Sequence, residues 1–440
     1  MQAYFEELAD FLTKSLHKRE VFTAGFSGED SDFVRFNHDK IRQAGAVSQR
    51  YLSLDLIRGA RHASGAVTLT GGKNEDHRRV KALLADLRAK LPNLPDDPHL
   101  LYSTEVRSTS ETAQNRLPDA KEAAVDVMAA GKGHDLVGIL AAGGIHAGFA
   151  NSFGQRNWFT TYSFNFDWSL YHATDKAVKC AYAGFDWSPD ALREKMAAAA
   201  EQLVVLRRVP KTIPPGDYRV YMAPVALADF VGMLSWGGFG LKSHRTKQTV
   251  LLRMAEAGAT LHPSVTIREN TKEGVSPNFQ EKGFLKPDAV TLIEGGRLAD
   301  TLVSPRSSKE FDVPTNGANG MEAPSSLDIA PGDLRREEIL ARLDTGVWIN
   351  NVWYLNYSDR PGCRITGMTR FACFWVEKGQ VVAPINVMRF DETIYRALGE
   401  NLLGLTRERD MLLDSGTYGG RSTESARVPG ALIDKFHFNL

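Results

Sequence analysis

The residues most suggestive of chemistry lie between Cys363 and Phe390, in the stretch CRITGMTRFACFWVEKGQVVAPINVMRF. Arg364, Thr366, Arg370, Trp375, Asn386 and Arg389 stand there along β-type sequence, interleaved with Phe371, Phe374 and Phe390. Just upstream, GVWINNVWYLNYSD adds Trp348, Trp353, Tyr354 and Tyr357. Arginine and aromatic side chains together favour a peptide-binding groove or a protein interface, because both give large contact area with directed polar ends. The six named residues are therefore candidates for substrate or interface contact. A barrel strand with ordinary salt bridges and core aromatics explains the same composition equally well.

Other motifs carry less. The histidines stand at 17, 38, 62, 77, 99, 134, 146, 172, 244, 262 and 437, and no two are three or four residues apart. A zinc-protease helix needs two histidines on one face and a glutamate to activate water, so that constellation is missing. His244 and His262 flank a predicted helix and could meet in space, but lone histidines generally satisfy local hydrogen bonds. Cys363 and Cys373 form no C-x-x-C pair and read as buried apolar thiols. Gly237-Gly238-Phe239-Gly240-Leu241-Lys242-Ser243 resembles a nucleotide loop, yet the lysine does not follow the last glycine and no βαβ unit surrounds it. It reads as a tight connection after a helix. Ser15-Leu16-His17-Lys18 has no partner motifs, and Leu413-Asp414-Ser415-Gly416 reads as a turn without triad partners.

These residues need elements to position them. Phe5, Leu8, Leu12 and Leu16 share one helical face, and Val80, Leu83, Leu84, Leu87 and Leu91 repeat the pattern over about 75–91. Further helices are expected over about 119–130, ending at Gly131, and from Ser188-Pro189 to about Leu206. Tyr162, Phe164, Phe166, Trp168 and Leu170 alternate with Ser163, Asn165, Asp167 and Ser169, which predicts a half-buried antiparallel strand. The proline-rich RRVPKTIPPGD, 207–217, is the expected linker between an N-terminal α/β domain (1–206) and a C-terminal β-rich domain (218–440). In the second domain a strand over 218–222 leads into a helix near Pro224, and short helices are expected near 335–343 and 392–398. The fold class is α+β: N-terminal helices with an antiparallel sheet, then a mostly β domain.

Composition bounds the function. The 440 residues carry 53 basic and 53 acidic side chains, which argues against a general affinity for nucleic acid or anionic membrane. Three scattered cysteines make no disulfide framework and point to a reducing compartment. The N-terminus lacks a signal-peptide h-region, and the weakly apolar run 137–150 is shorter than the ~20 residues that span a bilayer. A soluble, cytoplasmic protein is expected.

Across the chain, VRFNHDKIRQAG, GFANSFGQRNW and ITGMTRF…VEKGQVVAPINVMRF occur in an order and spacing that resemble the TldD/PmbA family, once labelled modulators of DNA gyrase. The resemblance implies a two-domain TldD/PmbA-like α+β fold and two related subunits enclosing a chamber. It implies that a TldD-type subunit binds zinc through an H-E-x-x-x-H helix and a downstream cysteine, and degrades or trims unfolded, small or precursor peptides. Here the corresponding helix reads APVALADFVGMLSWGG, 223–238, with neither histidine nor glutamate, and the downstream region LLDSGTYGGRSTES has no cysteine. No zinc ligand carries over to any position. The resemblance thus implies a TldE/PmbA-type, non-catalytic subunit with no cofactor of its own, zinc residing in a TldD-type partner. A homodimer that captures peptide without cutting it is the alternative, and a nucleic-acid factor the least favoured reading.

Overall fold

The computed structural model describes residues 1–173 and 176–440. The first half contains α1 (Gln2–Ser15), β1 (Val21–Asn37), β2 (Lys40–Arg58), β3 (Arg61–Thr68), α2 (Lys73–Lys90), β4 (Thr109–Thr112), α3 (Ala120–Ala130), β5 (Asp135–Asn151), β6 (Arg156–Ala173), β7 (Lys176–Gly184) and α4 (Pro189–Leu206). The predicted helix starts reflect side-chain caps: Asp119 accepts from the Lys121 amide at 2.8 Å, and Ser188 from the Ala191 amide at 3.2 Å. The strands form one sheet in the order β3-β2-β1-β5-β6-β4, with β7 also on β6; only β4 runs parallel to its neighbour. His38 and Asp39 both adopt left-handed φ (48° and 53°) in the two-residue turn between β1 and β2, which matches the twist of a tight hairpin.

One face of this sheet is apolar and carries the helices. Phe5 of α1 packs on Phe26 and Trp158 at ring separations of 5.4 and 6.1 Å. Gly148 permits that approach, since a Cβ there would lie 2.6 Å from the Phe5 ring. Farther along, α3 and α4 cover Phe36, Phe166 and Trp168, the last two stacked at 4.6 Å. Burying each such ring contributes about 1.5–3 kcal/mol.

The alternation in β6 sets its antiparallel partners, but the strand is not half-buried. Ser163 and Asn165 on its polar face are 1% and 7% exposed, because the second half of the chain lies against that face. Glu29, Ser31 and Asp55 share it and are likewise buried.

The second half contains β8 (Gly216–Met222), α5 (Pro224–Gly232), β9 (Ile267–Glu269), β10 (Val290–Glu294), β11 (Arg297–Leu298), β12 (Ser326–Ile329), β13 (Gly346–Asp359), β14 (Arg364–Glu377), β15 (Gln380–Pro384), β16 (Arg389–Thr393), β17 (Leu402–Leu413) and β18 (Ser425–Phe438). These form an 11-stranded sheet. Because β8 pairs with both β13 and β18, the strands β8, β13, β14, β16 and β18 close into a ring. Helix α5 packs on this ring, with Phe230 6.3 Å from Phe390 and 6.2 Å from Phe436. Of the expected helix over 392–398, Glu392 and Thr393 are the end of β16, and a short helical turn begins at Ile394 and widens to a π-helix over Arg396–Glu400. Buried Glu392 pairs with Ile365 of β14 and accepts from Arg396 Nε and the His437 amide, so tertiary pairing overrides local helix preference. A mixed helix-and-sheet architecture with a sheet in each half is thus observed. Among the described residues, no helix is long and apolar enough to cross a membrane.

Candidate functional site

The arginine-rich strand β14 distributes the six candidate residues rather than collecting them. Arg364, Thr366 and Arg370 alternate on its outer face. Arg389 of β16 joins them, its Nε donating to Thr366 Oγ1 at 3.3 Å. Trp375 points the other way into the core, where Lys211 Nζ sits 4.4 Å from its ring centroid. Asn386 lies beside the 207–215 segment and donates to Thr212 Oγ1 at 2.8 Å. Trp375 and Asn386 therefore position the incoming chain and do not share a surface with the arginines.

Around Arg370 the structure does build a site. Its guanidinium lies 5.6 Å from the Trp353 ring and 5.3 Å from the Phe371 ring, within cation–π range. Trp353 and Tyr354 remain 51% and 77% exposed, so this aromatic surface is available for contact. Tyr354 and Phe371 both hold φ of +57°, at breaks in the β13–β14 register. A bulky residue there costs about 1–3 kcal/mol, and such bulges re-aim side chains at functional surfaces. From the first half, Lys179 of β7 reaches across, with Nζ 5.9 Å from the Phe371 ring and 4.0 Å from Asp167 Oδ1.

Asp229 of α5 lies within electrostatic reach of Lys179. Desolvation by the surrounding protein pushes its carboxyl up to about 6, and Lys179 offsets only part of this. It is the sole charged side chain in 223–238, which is the sequence signal that could have flagged it; nothing in the sequence pointed to Lys179. The raised value means that ionised Asp229 costs stability, a cost absent near pH 4 and fully accrued above about pH 6. Asp229→Asn should therefore match wild type in urea unfolding at pH 4 and exceed it at pH 8. Solvent access keeps the gain below about 1 kcal/mol. Parallel stability profiles from pH 4 to 8 would remove Asp229 from this environment.

The residues present do not fit a zinc ion. Zinc requires three or four converging N, S or O ligands, and α5 supplies Asp229 alone. Among the described residues no three His, Cys, Asp or Glu side chains gather as a ligand set. His244 lies 2.7 Å from the Gly238 carbonyl and His262 2.8 Å from Ser264 Oγ, so both are engaged locally. Cys363 and Cys373 are buried, which pushes both thiols up, Cys363 to about 12. The downstream segment 414–424 instead sends Arg421 onto the polar face of the first sheet. Its guanidinium donates to Ser163 O and Oγ at 2.8 Å, and to Gly143 O at 3.2 Å.

The family model for the PmbA/TldA metallopeptidase C-terminal domain matches residues 215–439, the whole ring of strands with α5 upon it. This chain is a member of the TldD/PmbA family. Among solved structures, the TldD/PmbA chain is similar to TldE from Thermococcus kodakarensis, with 13% identity and a TM-score of 0.78 over 99% of this chain and 100% of that one. A Thermotoga maritima protein named for modulation of a DNA gyrase has 15% identity and a TM-score of 0.76, each chain covered completely. A Bacteroides thetaiotaomicron protein named likewise has 15% identity and a TM-score of 0.71, over 99% of this chain and 98% of that one. At these identities the likeness is one of fold. No curated protein matches the sequence.

Proposed function

We propose that this chain is the non-catalytic, TldE-type subunit of a heterodimeric zinc metallopeptidase acting on unfolded or precursor peptides. The observation that carries the reading is α5, the first helix of the matched metallopeptidase domain, which offers one carboxylate and no histidine. In this reading the chain completes the chamber and shapes peptide access, while a TldD-type partner holds the zinc and cuts. The Arg370 surface, with Lys179 beside Phe371 and the open rings of Trp353 and Tyr354, suits contact with an extended chain or with that partner.

The test is reconstitution with a TldD-type subunit. Peptide cleavage and stoichiometric zinc are expected in the complex and neither in this chain alone. Arg370→Ala should weaken assembly or turnover about tenfold while leaving the fold intact, as loss of one central arginine contact does. Zinc bound by the isolated chain, with cleavage blocked by a chelator, would overturn the assignment. The exposed Trp353 and Tyr354 favour one other reading, a homodimer that captures peptide without cutting. Tight peptide binding by the isolated homodimer, unchanged on adding the partner, would favour it.

A further inference from the structure

The β1–β2 hairpin runs on past the end of β3. β3 pairs with β2 only over Tyr51–Arg58, so the outer edge of β2 from Lys40 to Gln49 faces no other strand. Every residue from Lys40 to Ser48 is exposed, and a Cβ built on Gly45 would meet nothing within 4 Å. The ladder fixes which main-chain groups are free. The Leu69 amide donates to the Arg50 carbonyl at 2.9 Å, which puts the Arg50 main chain on the β3 side of the strand. Main-chain direction alternates along a strand, so Ala44, Ala46 and Ser48 point their N–H and C=O groups to the same open side. Gly45, Val47 and Gln49 point theirs to β1.

Edges of this kind are normally guarded. Charged side chains, prolines, bulges or a covering helix keep an edge strand from adding a foreign one. From Gln43 to Gln49 the sequence QAGAVSQ has neither charge nor proline, and the bulge in this ladder lies beyond it, opposite Arg35 and Phe36. The small side chains of Ala44, Gly45 and Ala46 leave room for another backbone. Charge stands at the ends instead. Lys40, Arg42 and Arg50 flank the segment, Arg35 lies across the hairpin, and 40–50 contains no acidic residue. Arg50 is engaged, lying 3.7 Å from Asp30 and donating to Ser48 Oγ at 3.2 Å. Arg35, Lys40 and Arg42 are exposed and have no ion-pair partner among the described residues.

This pattern selects the occupant. Two copies pairing antiparallel about Ala46 would bring Arg42 of each against Arg50 of the other, and facing like charges oppose pairing. A strand with acidic residues at its ends gains where a second copy loses. Both faces of the segment are open, so a free peptide would find main-chain hydrogen bonds without side-chain pockets to offset the cost of ordering it. A strand already held in a folded subunit avoids that cost. We propose that the β2 edge over Ala44–Ser48 pairs with an acid-flanked strand of a folded partner subunit, extending the first sheet across the subunit interface. Tyr418 suits the same interface. It is fully exposed, and the adjacent Gly419 carbonyl accepts from Gln49 Nε2 at 2.9 Å, at the end of the segment.

This inference rests on the heterodimer reading, but fails separately from it. The full chain would be combined with a TldD-type subunit, and assembly followed by analytical ultracentrifugation and amide hydrogen exchange. The amides of Ala44, Ala46 and Ser48 should exchange rapidly in the isolated chain and become protected in the complex. Ala46→Pro removes only an outward N–H, a place where an edge strand tolerates proline. It should weaken assembly at least about tenfold, by deleting a central hydrogen bond and crowding the incoming strand, with urea unfolding of the chain alone unchanged. Lys40→Glu combined with Arg42→Glu leaves the main chain untouched and should weaken assembly comparably at low salt, the deficit shrinking at high salt. Full assembly by both variants, with the three amides unprotected, would overturn this surface and leave the heterodimer in place. Self-association of the isolated chain that Ala46→Pro abolishes would overturn the proposal in favour of a second copy. Protection of the same amides by an unstructured peptide alone would overturn it in favour of a substrate site. No assembly of the wild-type chain with the partner would overturn the inference and the heterodimer reading together.

Discussion

Replacing Arg421 by alanine should cost the fold about 3 kcal/mol, since it leaves several buried acceptors unpaired at about 1–3 kcal/mol each. Arg421 anchors the segment between β17 and β18 on the polar face of the first sheet, where burial lowers its guanidinium to about 10 and leaves it charged at neutral pH. Its backbone amide donates to Glu29 Oε2 at 3.2 Å, and Gln49 Nε2 donates to the same oxygen at 2.8 Å. Glu29 Oε1 is buried without a partner, so the carboxylate depends on the nearby guanidinium for compensation. The alanine variant strands that charge and frees the carbonyls of Gly143 and Ser163. Urea unfolding would measure the loss, and limited proteolysis should cut first within 414–424. Adding Glu29→Gln should recover part of the stability, since the stranded charge is then gone. A cost below 1 kcal/mol, with no new cleavage, would show that the loop is held by other contacts.

A second large effect is expected at Lys282, which crosses from the second half to Asp55 of β2 with Nζ 2.6 Å from Oδ2. Burial pushes the Asp55 carboxyl up, but Lys282 and His62 outweigh it and hold the group below the usual carboxylate range. His62 Nδ1 at 3.0 Å and Ser64 Oγ at 2.9 Å complete its shell. Lys282→Ala should therefore destabilise by about 3 kcal/mol at pH 7, at the lower end for a broken buried pair because two partners remain. The sign of the pH dependence follows from the lowered value. The pair's stabilisation is present above pH ~4 and lost as pH falls through the depressed folded value, so the two proteins should converge in acid. A difference that persists unchanged at pH 2 would assign the effect to packing of the lysine stem instead of its charge.

Much of the local structure was legible in the residues themselves. Ser188-Pro189 and Asp119 place helix starts because a capping oxygen and a fixed proline φ act within one turn. The Tyr162–Leu170 alternation fixes a strand and its apolar face because side chains repeat every two residues. That 223–238 contains neither histidine nor glutamate is likewise plain from the residues alone. The expected helix start at Glu392 shows the limit, as Glu392 and Thr393 pair with β14 and the helical turn begins only at Ile394.

The sites depended on contacts between residues far apart in the chain. Spacing along β14 grouped Arg364, Thr366, Arg370 and Trp375, yet strand alternation sends Trp375 to the opposite face from the others. Lys179 reaches the Phe371 ring and the field of Asp229 only because β7 packs on β14 while α5 seats on the ring. The stretch Gln43–Gln49 reads as ordinary strand sequence until β3 stops pairing at Tyr51 and leaves its outer edge open. Periodicity encodes which way each side chain points, because that is set by neighbours one turn or two residues away. Which surfaces then face each other is set by burial across the whole chain, and the polar face of β6 became interior for that reason.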